Sequence, residues 1–297
     1  PEQSSRFQEA LPSRQEERMD VDSFAELFSL LPVTENPKQA SFDGIPLILH
    51  EDHRWLLPIA FLAQQKGLLP RPCTVIMFDR HHDALDPSRD ALDQLKRLRV
   101  KPNPPEVVSL CAEKLKKNDD DWLKAGMEIG IFGDAVILGV HDDFEAEKYR
   151  FYRDHLGQQH AIEMTALPGS GLAHQGQLSD LARRKDLGAL WKVLGWGIIE
   201  KRFRFLPDVP KTLLTIDLDC FAIEWRDYTF AWPNKIFESE FLKPSGDWTG
   251  RSFLQELARK SGLVGIARET GCCGGPGDAE IILENLVRYG FEDRFSF

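Results

Sequence analysis

The chain has 297 residues, of which 42% are apolar and 28% charged, with a formal net charge of −10. That is enough apolar chain for one large α/β domain, and the acidic balance argues against a general binder of nucleic acid or anionic membrane. No apolar run is long enough to span a membrane, and five cysteines without a CxxC pattern point to a reduced, cytoplasmic protein rather than a disulfide framework.

Residues 1–20 are polar and rich in Gln, Glu, Ser and Arg, which predicts a flexible arm ahead of a single catalytic domain over 21–297. The spacing of Phe24, Leu27, Phe28 and Leu31 predicts a helix over 22–31. A short strand over 46–50 and a helix over 55–66, closed by Gly67, come next. Residues 73–78 form an apolar, partly β-branched run that predicts a buried strand, and Asp79-Arg80-His81-His82-Asp83 follows it directly. Helices are expected near 89–99 and 106–117, a strand over 135–140 ending at His141, and an amphipathic helix over 144–156. Glycines at 169, 171, 195 and 197 suggest loops within 160–200. A strand over 212–216 leads into Asp217 and Asp219, then a Trp- and Phe-rich stretch over 221–241. A helix over 251–260, a strand over 263–267, Glu269 and a Gly- and Cys-rich turn over 271–277 complete the pattern, with Asp278 expected to cap a last helix.

Strands alternating with helices predict a mainly parallel sheet covered on both faces, a three-layer α/β sandwich. Polar clusters lie just past the strand ends at 50, 79, 141, 217 and 269, the edge where such sheets place their sites. In extended backbone Asp79, His81 and Asp83 converge, as do Asp217 and Asp219. Four carboxylates and an imidazole gathered there would repel one another unless cations sat between them, and such oxygen-rich sets suit Mn²⁺, Fe²⁺ or Zn²⁺. Acidic residues also follow strands merely to cap helices; two such motifs together favour the metal reading.

Asp79-x-His81-x-Asp83 and Asp217-x-Asp219, with Asp52-His53 upstream and Glu269 downstream, resemble the metal signatures of the ureohydrolases, arginase and agmatinase among them. The similarity covers roughly 46–290 as signatures rather than as continuous sequence. The cluster His50-Glu51-Asp52-His53 is most similar to the peptide arginases, enzymes of arginase fold acting on arginine side chains within ribosomal precursor peptides. The resemblance implies the arginase–deacetylase type of sandwich and two Mn²⁺ ions bridged by Asp79 and Asp217. His53 and Asp83 would complete one position, His81 and Asp219 the other. Glu269 would orient the guanidinium and His141 would pass a proton to the leaving amine; Asp83 is counted with them among candidates for the chemical step. The implied substrate is an arginine-containing peptide, and the products are ornithine and urea.

Several residues keep two readings. His50 is an alternative ligand to His53. His82 is expected to be structural. Cys220, Cys272 and Cys273 either tune the site or coordinate a metal, or fill space beside a tight turn, and Trp225, Tyr228, Phe230 and Trp232 either line a peptide groove or pack in the core. Ala84-Leu85 stands where arginases carry polar residues that grip a free amino acid's carboxylate, so peptidyl arginine is the expected substrate. A deacetylase of the same fold, using one metal on an acylated amine, is the second reading, and a non-catalytic scaffold the third. Oligomeric state is not legible.

Overall fold

The computed structural model describes residues 24–116, 121–139, 150–165, 211–225, 228–243 and 249–297. The expected arm over 1–20, His141 and the loops around Gly169 to Gly197 lie outside the described residues. The strands are β1 (Lys38–Phe42), β2 (Ile45–His50), β3 (Cys73–Phe78), β4 (Phe132–Leu138), β5 (Phe151–Arg153), β6 (Gln159–Thr165), β7 (Thr212–Asp217), β8 (Ala222–Trp225), β9 (Tyr228–Ala231) and β10 (Ser261–Ala267). The helices are α1 (Ala25–Phe28), α2 (Leu56–Gln65), α3 (Arg89–Val100), α4 (Pro104–Glu113), α5 (Trp122–Glu128), α6 (Asn234–Leu242), α7 (Gly250–Lys260) and α8 (Pro276–Asn285).

Eight of these strands make one sheet in the order β1-β2-β10-β7-β3-β4-β6-β5. From β2 to β6 every neighbouring pair is parallel, and β1 and β5 are antiparallel edges. Two buried cores lie on opposite faces. One gathers α2 to α5 against Ile48, Val75, Met77, Leu213 and Leu263; the other gathers α6 to α8 against Leu47, Ile76, Phe78, Leu214, Ile216 and Ile266. The strict alternation along β3 (Val75 and Met77 to one side, Ile76 and Phe78 to the other) is the period-two geometry of a strand buried on both faces. The three-layer, mainly parallel α/β sandwich expected from the alternation is therefore what the chain forms.

Local chemistry sets the helix ends. Ser88 accepts a hydrogen bond from the Ala91 amide and Asn103 from the Glu106 amide; Pro104 opens α4, where its missing N–H costs nothing. Thr249 and Ser252 cap α7 reciprocally.

Three expectations need correction. Within the helix expected over 144–156, residues 151–153 are strand β5, paired antiparallel with β6, and the turn after it is held by the Asp154 carboxylate, which accepts from the Leu156 and Gln158 amides. A short-range amphipathic pattern lost there to pairing with a strand not legible in 160–165. Of the helix expected over 22–31, the described residues form an α-helix at Ala25–Phe28. Asp278 does not cap α8: Pro276 opens that helix, and Asp278 accepts from the Ala231 amide on β9 instead.

The β3–β7 boundary positions the site. The chain leaves β3 through α3–α5 on one face to reach β4, and leaves β7 through α6 and α7 on the other face to reach β10. Neighbouring parallel strands whose exits diverge leave a crevice beyond their carboxyl ends.

Candidate metal centre

Asp217 ends β7 and Asp79 follows the last residue of β3, so both stand at that crevice. The register pairs Met77 with Thr215 and Phe78 with Ile216, and places His50, Ala267 and Asp217 level. Parity then sends Asp79, Thr215, Asp217 and His50 toward the face of α2–α5. Each bridging candidate is oriented by the same local turn. Asp79 Oδ1 accepts from the His81 amide at 2.6 Å, and Asp217 Oδ1 from the Asp219 amide at 2.9 Å. An Asp accepting from the amide two residues on folds the chain back on itself, so convergence comes from tight turns rather than from continued strand. Asp83 completes its turn at φ 45° and Glu269 sits at φ 34°. Left-handed backbone at a non-glycine residue costs on the order of 1–2 kcal/mol. Both strained positions carry carboxylates at this site.

His53 lies in a single 3₁₀ turn, His53–Trp55, started by Asp52, whose side chain accepts from the Arg54 amide. Its Nδ1 is 3.3 Å from Asp79 Oδ2, 3.1 Å from Asp83 Oδ2 and 3.4 Å from Asp217 Oδ2. One ring nitrogen cannot point a proton at three oxygens, and neither His53 Nδ1 nor Asp79 Oδ2 has a partner in hydrogen-bond geometry. The other nitrogen, Nε2, is 2.8 Å from Thr215 Oγ1. His81 Nδ1 approaches Asp219 Oδ2 at 2.8 Å and Asp79 Oδ1 at 3.8 Å. Glu269 Oε1 accepts from the His53 amide at 3.2 Å. Three groups result whose donor atoms lie within 4.8 Å of one another: His53, Asp79 and Asp83; His53, Asp217 and Glu269; Asp79, His81 and Asp219. All seven residues expected at the site within the described part of the chain (His53, Asp79, His81, Asp83, Asp217, Asp219 and Glu269) are thus brought together.

The electrostatics show what this donor set lacks. The four aspartates are at most 4% exposed. Two like charges about 4 Å apart repel by roughly 4 kcal/mol even at an effective dielectric of about 20. Burial, then the Asp83 charge, holds the Asp79 carboxyl well above the usual range. Burial and Asp219 push Asp217 up to about 6, and burial and Asp217 push Glu269 up to about 9. Burial also raises Asp219, but His81 and Arg80 outweigh it and leave its carboxyl below normal; the same partner lifts His81 to about 11. Burial lowers His53, yet Asp217, Asp79 and Asp83 raise it further, well above normal. Without cations, burial and mutual repulsion push the Asp79, Asp217 and Glu269 carboxyls toward their protonated forms. Divalent cations would replace those protons, and hard oxygen donors with two imidazoles fit such ions.

The remaining candidates fall elsewhere. His50 is buried beside His53, ring centroids 6.1 Å apart, outside the three groups; burial and His53 hold it down to about 3, and its Nδ1 contacts the Asp52 carbonyl. His82 Nδ1 accepts from the Ala84 amide, a structural role. Cys273 is buried and donates to the Arg268 carbonyl, burial raises the Cys220, Cys272 and Cys273 thiols, and none of the three belongs to the three donor groups. Trp232 is core and Phe230 packs against it, leaving Tyr228 as the exposed aromatic of the expected groove; the Trp225 side chain lies outside the described residues. Two contributors went unforeseen. Thr215 shares a strand face with Asp217, a signal present in the sequence. Trp122, on α5, stacks on His53 and donates its indole N–H to Asp83, and nothing local to it announces that.

No protein-family model matches the chain, and no curated protein matches it. Among solved structures, the crystal structure of Helicobacter pylori arginase is similar at 11% identity, TM-score 0.33, covering 80% of this chain and 71% of that one. A likeness this loose decides nothing about chemistry. Among the described residues no helix is long and apolar enough to cross a membrane.

Proposed function

We propose that this chain is a metal-dependent amidinohydrolase that converts arginine, within a peptide, to ornithine and urea, using two divalent cations, with Mn²⁺ favoured by the carboxylate-rich donors. The observation that carries the reading is the buried cluster at the β3–β7 crevice, whose donors include atoms without a partner in hydrogen-bond geometry. Asp79 belongs to the groups of both His53 and His81, which is what a carboxylate shared by two cations requires. Bound cations would supply a nucleophilic oxygen at neutral pH by lowering the pKa of water.

The protein's own residues do the rest. Glu269, half-buried at the rim, offers a carboxylate to a guanidinium, which can donate to it bidentately; the cation would in turn draw Glu269 into its charged form. Thr215 fixes the His53 ring with Nδ1 toward the carboxylates. Ala84, fully buried, and the partly exposed Leu85 follow Asp83 in the chain with apolar side chains, poor partners for a free amino acid's charged ends, whose desolvation costs several kcal/mol. Cytoplasmic location and the proton-passing role of His141 belong to the same proposal.

A second reading has one observation in its favour. Asp79, His81 and Asp219 alone make a complete three-ligand set, enough for a single-zinc deacetylase of similar architecture. Elemental analysis separates the two: two cations per chain support the amidinohydrolase, and one zinc the deacetylase.

A further inference from the structure

We propose that Trp122 is a positioning residue for an inner cation position, bounded by His53, Asp79 and Asp83, and makes it distinct from an outer position bounded by Asp79, His81 and Asp219. This rests on the two-cation reading above. The two ends of the cluster are built differently. At the inner end every donor residue is at most 4% exposed, whereas the His81 side chain at the outer end is 39% exposed.

Trp122 closes the inner end. Its indole N–H donates to Asp83 Oδ2, the same oxygen that lies 3.1 Å from His53 Nδ1, and its ring stacks on the His53 imidazole at 5.0 Å and 24°. A single rigid group therefore orients two prospective ligands at once. The hydrogen bond fixes the rotation of the Asp83 carboxylate, and the stacked ring covers one face of His53. The indole is itself clamped. Phe132 meets it edge-on at 5.5 Å, and one turn along α5 Gly126 has no side chain because a Cβ there would lie 2.0 Å from the same Phe132 ring. A buried indole N–H needs an acceptor, and the left-handed backbone of Asp83 delivers one.

Losing a partner that orients a metal ligand commonly weakens metal affinity 10–100-fold. The test uses the full chain stripped of metal and titrated with Mn²⁺ by calorimetry, beside Trp122→Phe, which keeps a ring against His53 but lacks the N–H. The expected result is two binding steps in both proteins, one unchanged and the other weakened about 10–100-fold in the variant. In parallel, the Trp122 indole N–H resonance of the unsubstituted protein, assigned through its contacts with Phe132, is followed during Zn²⁺ titration. It should move with one equivalent and stay still with the other, a readout that does not depend on the variant folding. Equal weakening of both steps, unchanged affinities, or a resonance that moves with neither equivalent would overturn the assignment. Fewer than two steps in the unsubstituted protein would instead overturn the two-cation reading on which it stands.

Discussion

The Nε2 of His53 lies 2.8 Å from Thr215 Oγ1, so the ring's other nitrogen is turned to the three carboxylates. A β-branched hydroxyl on a central strand is otherwise a poor choice for a fully buried position; here its oxygen sets which imidazole nitrogen is free to coordinate. Thr215→Val keeps the shape and removes the acceptor, and should lower cation affinity about 10-fold or more, while Thr215→Ser should leave it near the starting value. Calorimetric titration of the two variants checks this, and a Val variant that binds like Ser would leave Thr215 as packing alone.

Asp79→Asn and Asp217→Asn should each abolish stable loading of two cations and with it turnover. In the metal-free protein the same changes should leave stability unchanged or raise it, because each relieves repulsion in a cluster that burial already strains. Thermal melts with and without Mn²⁺ read both effects. A variant that melts well below the metal-free parent would show these carboxylates holding the fold together by themselves.

Glu269→Gln should load cations like the parent and lose most turnover, since the amide keeps the shape without the charge that matches a guanidinium. Loss of a cation in this variant would make Glu269 a ligand beside His53 and Asp217, the alternative that its place among their donors allows.

Away from the site, Glu240 on α6 is fully buried, and both carboxyl oxygens lack a hydrogen-bond partner among the described residues. Burial pushes it up to about 9 from an ordinary 4.5. The native state keeps this proton where the unfolded chain has released it, so stability falls as pH rises from about 4.5 toward 9. Glu240→Gln should be close to neutral at pH 5 and stabilising by on the order of 2–4 kcal/mol at pH 8. Denaturant unfolding at the two pH values measures the difference; a gap that does not widen with pH would mean the carboxyl reaches water.

How legible the molecule was depended on the range of the forces at each place. The strand at 73–78 and the acidic residues after it declare themselves locally, because a run buried on both faces must be apolar and its polar continuation must leave the sheet. The same holds for 212–217 and 263–267. Strand β5 was read as helix because its pairing with β6 is decided by contact between segments, not by its own pattern. The convergence of Asp79, His81 and Asp83 was legible, but its means was not: the Asp79 side chain captures the His81 amide and Asp83 turns left-handed. Trp122 reaches the site because α5 packs against β4 and the His53 turn, and no spacing rule in one sequence encodes that.

The most direct test of the central claim is mass spectrometry of an arginine-containing peptide incubated with the Mn²⁺-loaded protein, beside a urea assay on free arginine. The expected result is loss of one CN₂H₂ unit from the arginine side chain with stoichiometric urea, and little urea from free arginine. Equal turnover of free arginine would contradict the peptide specificity alone. An unchanged arginine peptide, together with removal of an acyl group from an acylated amine, would contradict the amidinohydrolase reading itself.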